Sequence, residues 1–420
     1  GEWKTVDWQT ALEYVANGLR NIQRDHGANS IGALVSPHST VEELYLAGAL
    51  VRGLGSDNID YRLRNAEFGA VEGVRTLGTS IASLSTLQRV LVVGSNLRKD
   101  HPLFALRVRH AVRHGAQLNV ITSQADFAHA DAWAMPVAQA VLADAAAWAQ
   151  ALADVAAAIA AEKGVTAPAA GNVTAQAQAI AKSLSGGERK AILLGNAAAH
   201  HANASSLLAL ANWIAEQTGA SVGYLTEAAN TVGAQWVGAH PQTGGKHAGQ
   251  MLAGSLKAAI LLNTEPEFDS AAGAAAAQSL GQAEMVVTLS PFKANMAFSD
   301  VLLPIAPFTE TSGSFVNAEG RLQSFHAVVK PLAETRPAWK VLRVLANLLE
   351  IPGVAFETSQ DVLARATAKP LAASNAVHAD IRLVGPVSAP AVASIYQLDS
   401  IVRRAPSLQL TADARQEVTA

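Results

Sequence analysis

Arg89-Val-Leu-Val-Val-Gly94-Ser95-Asn96, then Pro102-Leu-Phe-Ala-Leu-Arg-Val-Arg-His-Ala-Val-Arg113, then Gln117-Leu-Asn-Val-Ile-Thr122 is the stretch that decides the fold. Its outer members are short apolar runs bounded by turn residues, as strands buried on both faces require. Its middle is apolar at helical spacing and stops at Gly115. Strand, helix and strand at this spacing predict a βαβ unit, hence a parallel sheet with a right-handed crossover. Two further segments share the first run's shape: Lys190-Ala-Ile-Leu-Leu-Gly195-Asn196, followed by a helix over 205–218, and Lys257-Ala-Ala-Ile-Leu-Leu-Asn263-Thr264. Upstream, Asp7 is placed to cap a helix over 11–26, residues 32–36 read as a strand, and Ser39 or Thr40 with the glutamates after it form a capping box for a helix ending near Gly53. Residues 128–185 are Ala-rich and read as helices joined by surface loops. The stretch after Leu371 has little pattern and reads as a tail extended over the surface or onto a partner.

Composition narrows the function. The chain has 420 residues, half of them apolar and 15% charged, which suits two or three α/β cores. A formal net charge of -3 without like-charge blocks gives no reason to expect nucleic acid. With no cysteine, the chain has no thiolate metal site, iron–sulfur ligand, disulfide or Cys nucleophile of its own. The longest weakly polar stretch, 141–161, carries Asp144 and Asp154 and is too Ala-rich for a spanning helix, so no direct membrane span is expected. The chain opens on Gly1-Glu2-Trp3 without Met, which reads as part of a longer polypeptide.

Side-chain constellations elsewhere are weak. His200-His201 are adjacent, cannot face one metal on regular structure, and read as a polar loop. His240 and His247 flank Gly244-Gly245-Lys246, which lacks the spacing of a phosphate loop. Glu265 and Glu267 around Pro266 read as a solvated turn. No G-x-G-x-x-G follows the first strand, which argues against direct NADH binding.

The most specific motif comes late: Asp300-Val-Leu-Leu-Pro304, then Glu310-Thr-Ser-Gly313-Ser314-Phe315-Val-Asn317-Ala-Glu319-Gly320-Arg321-Leu-Gln323. It resembles the molybdopterin oxidoreductase signature, A/S-D-V-x-L-P followed by E-x-x-G-S/T-F/Y-x-N-x-E-G-R-x-Q. Gly94-Ser95-Asn96 with Asp100-His101-Pro102 is similar to that family's G-S-N-P…H-P loop, with Leu97 in place of Pro. Val6-Asp7-Trp8 and Pro337-Ala338-Trp339 match its opening and close. The resemblance implies two Rossmann-like parallel-sheet domains of the formate dehydrogenase/DMSO reductase type, one inserted in the other. Residues 1–63 and 254–372 would form the first, 64–253 the inserted one, and 373–420 an extended tail. Gly313 and Gly320 are read as freeing the backbone of the signature loop.

Catalytic members of the family hold molybdenum or tungsten with a Cys, selenocysteine or Ser shortly after an N-I/V-D-x-x-x-R stretch. Here that stretch is Asn58-Ile59-Asp60-Tyr61-Arg62-Leu63-Arg64, the ligand position falls on Ala66, and the His after it on Glu67. Alanine offers a metal no lone pair. Frame without ligand is what one branch of the family looks like, the molybdopterin-oxidoreductase-type subunit of bacterial NADH-quinone oxidoreductase (respiratory complex I). Ile395-Tyr396-Gln-Leu-Asp399-Ser-Ile-Val402-Arg403-Arg404-Ala405 resembles that branch's carboxyl-terminal end. The resemblance implies a non-catalytic scaffold on the cytoplasmic side of a bacterial inner membrane. Its partners would be other peripheral-arm subunits and its own amino-terminal iron–sulfur domains (2Fe-2S and 4Fe-4S clusters), with no cofactor in the present stretch. Gly94, Ser95, Asn96, Asn317, Glu319 and Arg321 are the candidates for a vestigial pterin site, with no catalytic and no metal-ligating residue. The alternative is a formate dehydrogenase-like enzyme that still binds a molybdenum or tungsten pterin.

Overall fold

The computed structural model describes residues 2–69, 73–127, 133–384 and 388–417. In chain order its strands are β1 (Ile31–Val35), β2 (Ile59–Asp60), β3 (Arg89–Val93), β4 (Gln117–Thr122), β5 (Gln139–Leu142), β6 (Lys190–Leu194), β7 (Ser221–Tyr224), β8 (Ala258–Leu262), β9 (Met285–Ser290), β10 (Val301–Pro304), β11 (Gly313–Val316) and β12 (Leu322–Phe325). They form two five-stranded parallel sheets, β10-β9-β8-β1-β2 and β5-β4-β3-β6-β7, and an antiparallel pair, β11-β12. The molecule is thus α/β with parallel sheets.

Both sheets are doubly wound, and each reverses direction once. In the first the order reverses between β1 and β8, in the second between β3 and β6. Loops leaving such neighbours diverge to opposite faces and open a crevice at the strands' carboxyl ends. Alternation along the strands explains why both faces are covered. Ile31, Ala33, Val35, Ile260 and Leu262 join one core with the helices Trp8–His26, Val41–Gly53 and Ala338–Leu348, whereas Leu34, Ala259 and Leu261 join another with Met251, Leu252 and Leu280. In the second sheet Leu91, Val93, Ile192 and Leu194 pack on Trp148–Lys163, Ala175–Ser185 and Ala204–Thr218, while Val90, Val92 and Leu193 face Pro102–Arg113. Each of the Val, Leu and Ile side chains among them contributes roughly 1.5–3 kcal/mol on burial.

Local signals account for the starts of the first two long helices. The Asp7 carboxylate accepts from the Thr10 amide, so its helix starts at Trp8, three residues earlier than the pattern suggests. Thr40 and Glu43 form the capping box. The Ala-rich region departs from expectation: β5 lies within it as an edge strand, and the helix begins at Trp148 rather than near 141. Pairing with the neighbouring strand supplies what local propensity does not, since Asn119 to Thr122 of β4 pair with Gln139 to Leu142.

Strand β7 is held from outside its sheet. Tyr224 N donates to the Thr76 carbonyl (2.9 Å), and the approach is so close that a Cβ on Gly223 would stand 1.7 Å from the Leu77 carbonyl oxygen. Gly223→Ala therefore has to push residues 76–78 off the sheet. We expect a loss of about 1–3 kcal/mol in urea unfolding, and an unchanged midpoint would show that this contact is slack.

Candidate functional site

The two reversal points differ. In the second sheet Gly94 (φ 61°) and Gly195 end β3 and β6 in mutual contact: a Cβ on Gly94 would meet the Ala198 amide at 2.7 Å, and one on Gly195 would meet Ser95 Cβ at 2.2 Å. Asp100 then ties the loop, its carboxylate accepting from Ser95 Oγ and the Asn96 amide (both 2.9 Å), while Asn96 caps the next short helix through Lys99 N. His101 is buried beside this loop, which pushes its pKa down to about 4.

Between the carboxyl ends of the two sheets lies a cavity of about 340 Å³, bordered among others by Tyr61, Arg62, Glu67, Arg75, Asn196, His200, Tyr224 and Glu227. Residues 376–380 and Arg382 form part of its wall. Gly94, Ser95 and Asn96 are not among its lining residues. Glu319 and Arg321 line a different groove, with Thr76, Gly78 to Ala82, Ser221 and Asn375. The sequence candidates thus fall into two groups at separate places. Within the second group Glu319 accepts from the Ile81 amide (2.6 Å), Asn317 Oδ1 accepts from Arg321 N (2.9 Å), and Arg321 lies 3.5 Å from Glu319 with most of its side chain in solvent. These residues shape a turn. Gly320 has the expected positive φ of 89°, but Gly313 does not; it is small because a Cβ there would meet Thr40 Cγ2 at 2.4 Å.

Glu42 ties the signature loop to the helix Val41–Gly53, and Glu43 closes that helix's own capping box. Buried Glu42 accepts from Ser314 N and Oγ (2.9 Å each), and Glu43 accepts from Thr40 N.

Sequence reasoning missed a buried ion cluster at the strand ends. Arg64 lies 2.7 Å from Glu227, past β7, and 3.4 Å from Asp269, past β8. His200, past β6, sits 3.4 Å from Glu227 and donates from Nδ1 to the Ala391 carbonyl. Arg403 reaches Asp269 (2.8 Å) and Glu265 (3.4 Å), Arg404 reaches Glu265 (2.6 Å), and Asp399 lies 3.6 Å from His38, past β1. Burial alone would raise the Glu227 carboxyl, but Arg64, His200 and His38 outweigh it and hold it well below the usual carboxylate range. Two expectations are corrected here. Glu265 is 4% exposed and ion-paired, with only Glu267 left in solvent as a turn residue would be. His200 and His201 are buried, the second donating to the Ala145 carbonyl, because the strand-end loops close over them. The tail, for its part, packs on this chain: Asn375 bonds to the backbone of Thr76 and Val222, and Arg382 N donates to Ser206 Oγ.

Residues 1–348 match the molybdopterin oxidoreductase family, and the chain belongs to it. It is 26% identical over 408 residues to the NADPH-Fe(3+) oxidoreductase subunit alpha of Geobacter sulfurreducens, covering 82% of this chain and 48% of that protein. A putative formate dehydrogenase of Staphylococcus haemolyticus is 30% identical over 146 residues, which is 32% of this chain and 15% of the relative. The chain thus spans about half the length of the first of these relatives. In fold it is similar to acetylene hydratase from Pelobacter acetylenicus (TM-score 0.56, 15% identity, 87% of this chain and 62% of that one). It is also similar to a chain of the formyltransferase/hydrolase complex from Methylorubrum extorquens (TM-score 0.58, 20% identity, 84% and 98%).

Membership raises the question of a metal-bearing pterin, and the donor set does not fit a protein-ligated metal. Ala66 presents a methyl group at the position the resemblance gives to the metal ligand, and its amide donates to the His200 carbonyl (3.2 Å). Glu67 is engaged by Ser205, accepting from its amide (2.7 Å) and its hydroxyl. Among the described residues no three His, Asp or Glu side chains converge as a metal site.

Two expectations follow. Removing Arg64 leaves Glu227 and Asp269 buried with fewer cations, so Arg64→Ala should lower unfolding free energy by about 3–5 kcal/mol; a loss near zero would mean the cluster is solvated. Burial pushes Glu43 up to about 7 from an ordinary 4.5, so the fold favours its neutral form. That stability is complete below pH 4.5 and is lost as pH rises through about 7. Glu43→Gln keeps an acceptor for Thr40 N without the charge, so it should match the parent at about pH 4 and exceed it at about pH 8.5 by about 1–3 kcal/mol. Thermal melts at the two pH values check this, and parallel curves would refute it.

Proposed function

We propose that this chain is a non-catalytic molybdopterin-oxidoreductase frame acting as a scaffold in the peripheral arm of a bacterial NADH:quinone oxidoreductase, the respiratory complex I. The observation that carries the reading is Ala66 at the metal-ligand position, with Glu67 beside it tied to Ser205. The Y-x-x-D-x-x-V-R-R stretch from Tyr396 to Arg404, which the resemblance links to that branch, adds support. On this reading no residue here carries redox chemistry. Electrons would pass from NADH towards quinone through iron–sulfur clusters in neighbouring domains, and the frame would brace those domains on the cytoplasmic side of the membrane. Among the described residues no helix is long and apolar enough to cross a membrane, so attachment would come through partner subunits.

The rival, favoured by the likeness to putative formate dehydrogenases, is an enzyme whose molybdenum or tungsten pterin takes its last ligand from outside the chain. Elemental mass spectrometry and pterin release on protein isolated from its native host decide between them. We expect neither metal nor pterin at stoichiometric level, together with co-purification of NADH-oxidising, iron–sulfur-containing subunits. Stoichiometric molybdenum or tungsten with pterin would overturn the proposal.

A further inference from the structure

The reversal point of the first sheet, where β1 and β8 lie side by side, is where an open parallel sheet takes up a ligand. The loops leaving these strands carry His38 on one side and Glu265 and Asp269 on the other, the two carboxylates being 4% and 6% exposed. Residues 396–404 sit between them. Asp399 accepts from the Ile401 and Val402 amides (2.7 and 2.9 Å), capping the turn Ser400–Arg403 and presenting both arginines from one place. Arg403 Nη1 donates to Asp269 and to the Gln397 carbonyl, Nη2 approaches Glu265, and the guanidinium lies 5.2 Å from the Phe268 ring centre. Arg404 pairs with Glu265 and lies 4.5 Å above the Phe292 ring. Arg403 and Arg404 are the arginines that pair with Glu265, and without them Asp269 would keep Arg64 alone, which Glu227 already engages. Buried carboxylates demand paired cations, and the planar fork of arginine meets two acceptors and an aromatic face where lysine's point charge does not.

We propose that this crevice is a recognition site for paired arginines on a capped helical turn, and that residues 394–413 are its resident peptide ligand, seated where related sheets would take up a small molecule. The proposal rests on the non-catalytic role and deepens it, since a crevice filled by the chain itself has no need of a prosthetic group. A detachable tail would make the same surface available to an arginine-bearing segment of another protein.

These 420 residues hold no cysteine, which makes a direct test possible on this chain. Ser400 is 6% exposed, so Ser400→Cys supplies one thiol on the docked tail itself, buried while the tail is in place. We expect slow reaction with a maleimide in that variant and a rate roughly tenfold or more higher after adding Arg403→Gln and Arg404→Gln, as a closed segment opens. A fluorescent peptide of residues 394–413 should bind the arginine-free variant, and the same peptide with both arginines changed to lysine should bind at least about tenfold more weakly. Asp399→Asn, which removes the capping charge, gives a second route to release if the double variant does not fold. Fast labelling of Ser400→Cys alone, labelling that stays slow in the released variants, or equal binding of both peptides would overturn the proposal. An undocked tail on metal-free native protein would remove this site and leave the non-catalytic reading standing. A protected thiol on protein rich in metal and pterin would do the reverse.

Discussion

Glu265 and Asp269 are carboxylates with almost no access to water, and the arrangement at the strand ends follows from the cations they require. Arg64 supplies one, and because it also holds Glu227 it joins the loop after β7 to the loop after β8, and so the second sheet to the first. The remaining positive charge comes from Arg403 and Arg404, far along the chain in the tail. A stretch with no pattern of its own is thereby given one place to lie. Its course past Asn375, Arg382 and Ala391 fixes the wall of the cavity between the sheets.

On the proposed reading, the same logic explains how a frame of this family would persist without cofactor chemistry. A doubly wound sheet opens a crevice at its reversal point whether or not anything is bound, and polar groups exposed there need partners. In the second sheet the crevice is closed by glycines packed together; in the first it is filled by a turn bearing two arginines. Where the family resemblance places the metal ligand, Ala66 offers only a methyl group, and its neighbour Glu67 is held by a serine. The signature loop still serves the fold, through Glu42 on Ser314 and Glu319 on Ile81.

Much of the framework is legible in the residues. Continuous apolar runs ending in small polar turns mark β3, β4, β6 and β8, because a strand buried on both faces has no other composition available. Capping by Asp7 and Thr40 is a local signal and reads correctly. Strand β5, Gln-Ala-Val-Leu inside an Ala-rich stretch, is too short to stand out from its helical surroundings, and its position is set by β4. The ion cluster escapes for a different reason: Glu265 looks like any turn residue until the partner from the tail, 138 residues away, covers it. Of the candidate site residues, spacing cannot tell that Gly94 and Glu319 end at different places, since both belong to motifs defined by chain order.

Amide hydrogen exchange on full-length protein from the native host tests the central claim most directly, because it reports whether the tail is docked in the working molecule. With the tail docked, the amides of Ile401, Val402 and Arg403, bonded to Asp399, exchange far more slowly than in a free peptide of the same sequence. Exchange at the free-peptide rate would contradict it, leaving the buried carboxylates of the crevice to be satisfied by something other than this chain.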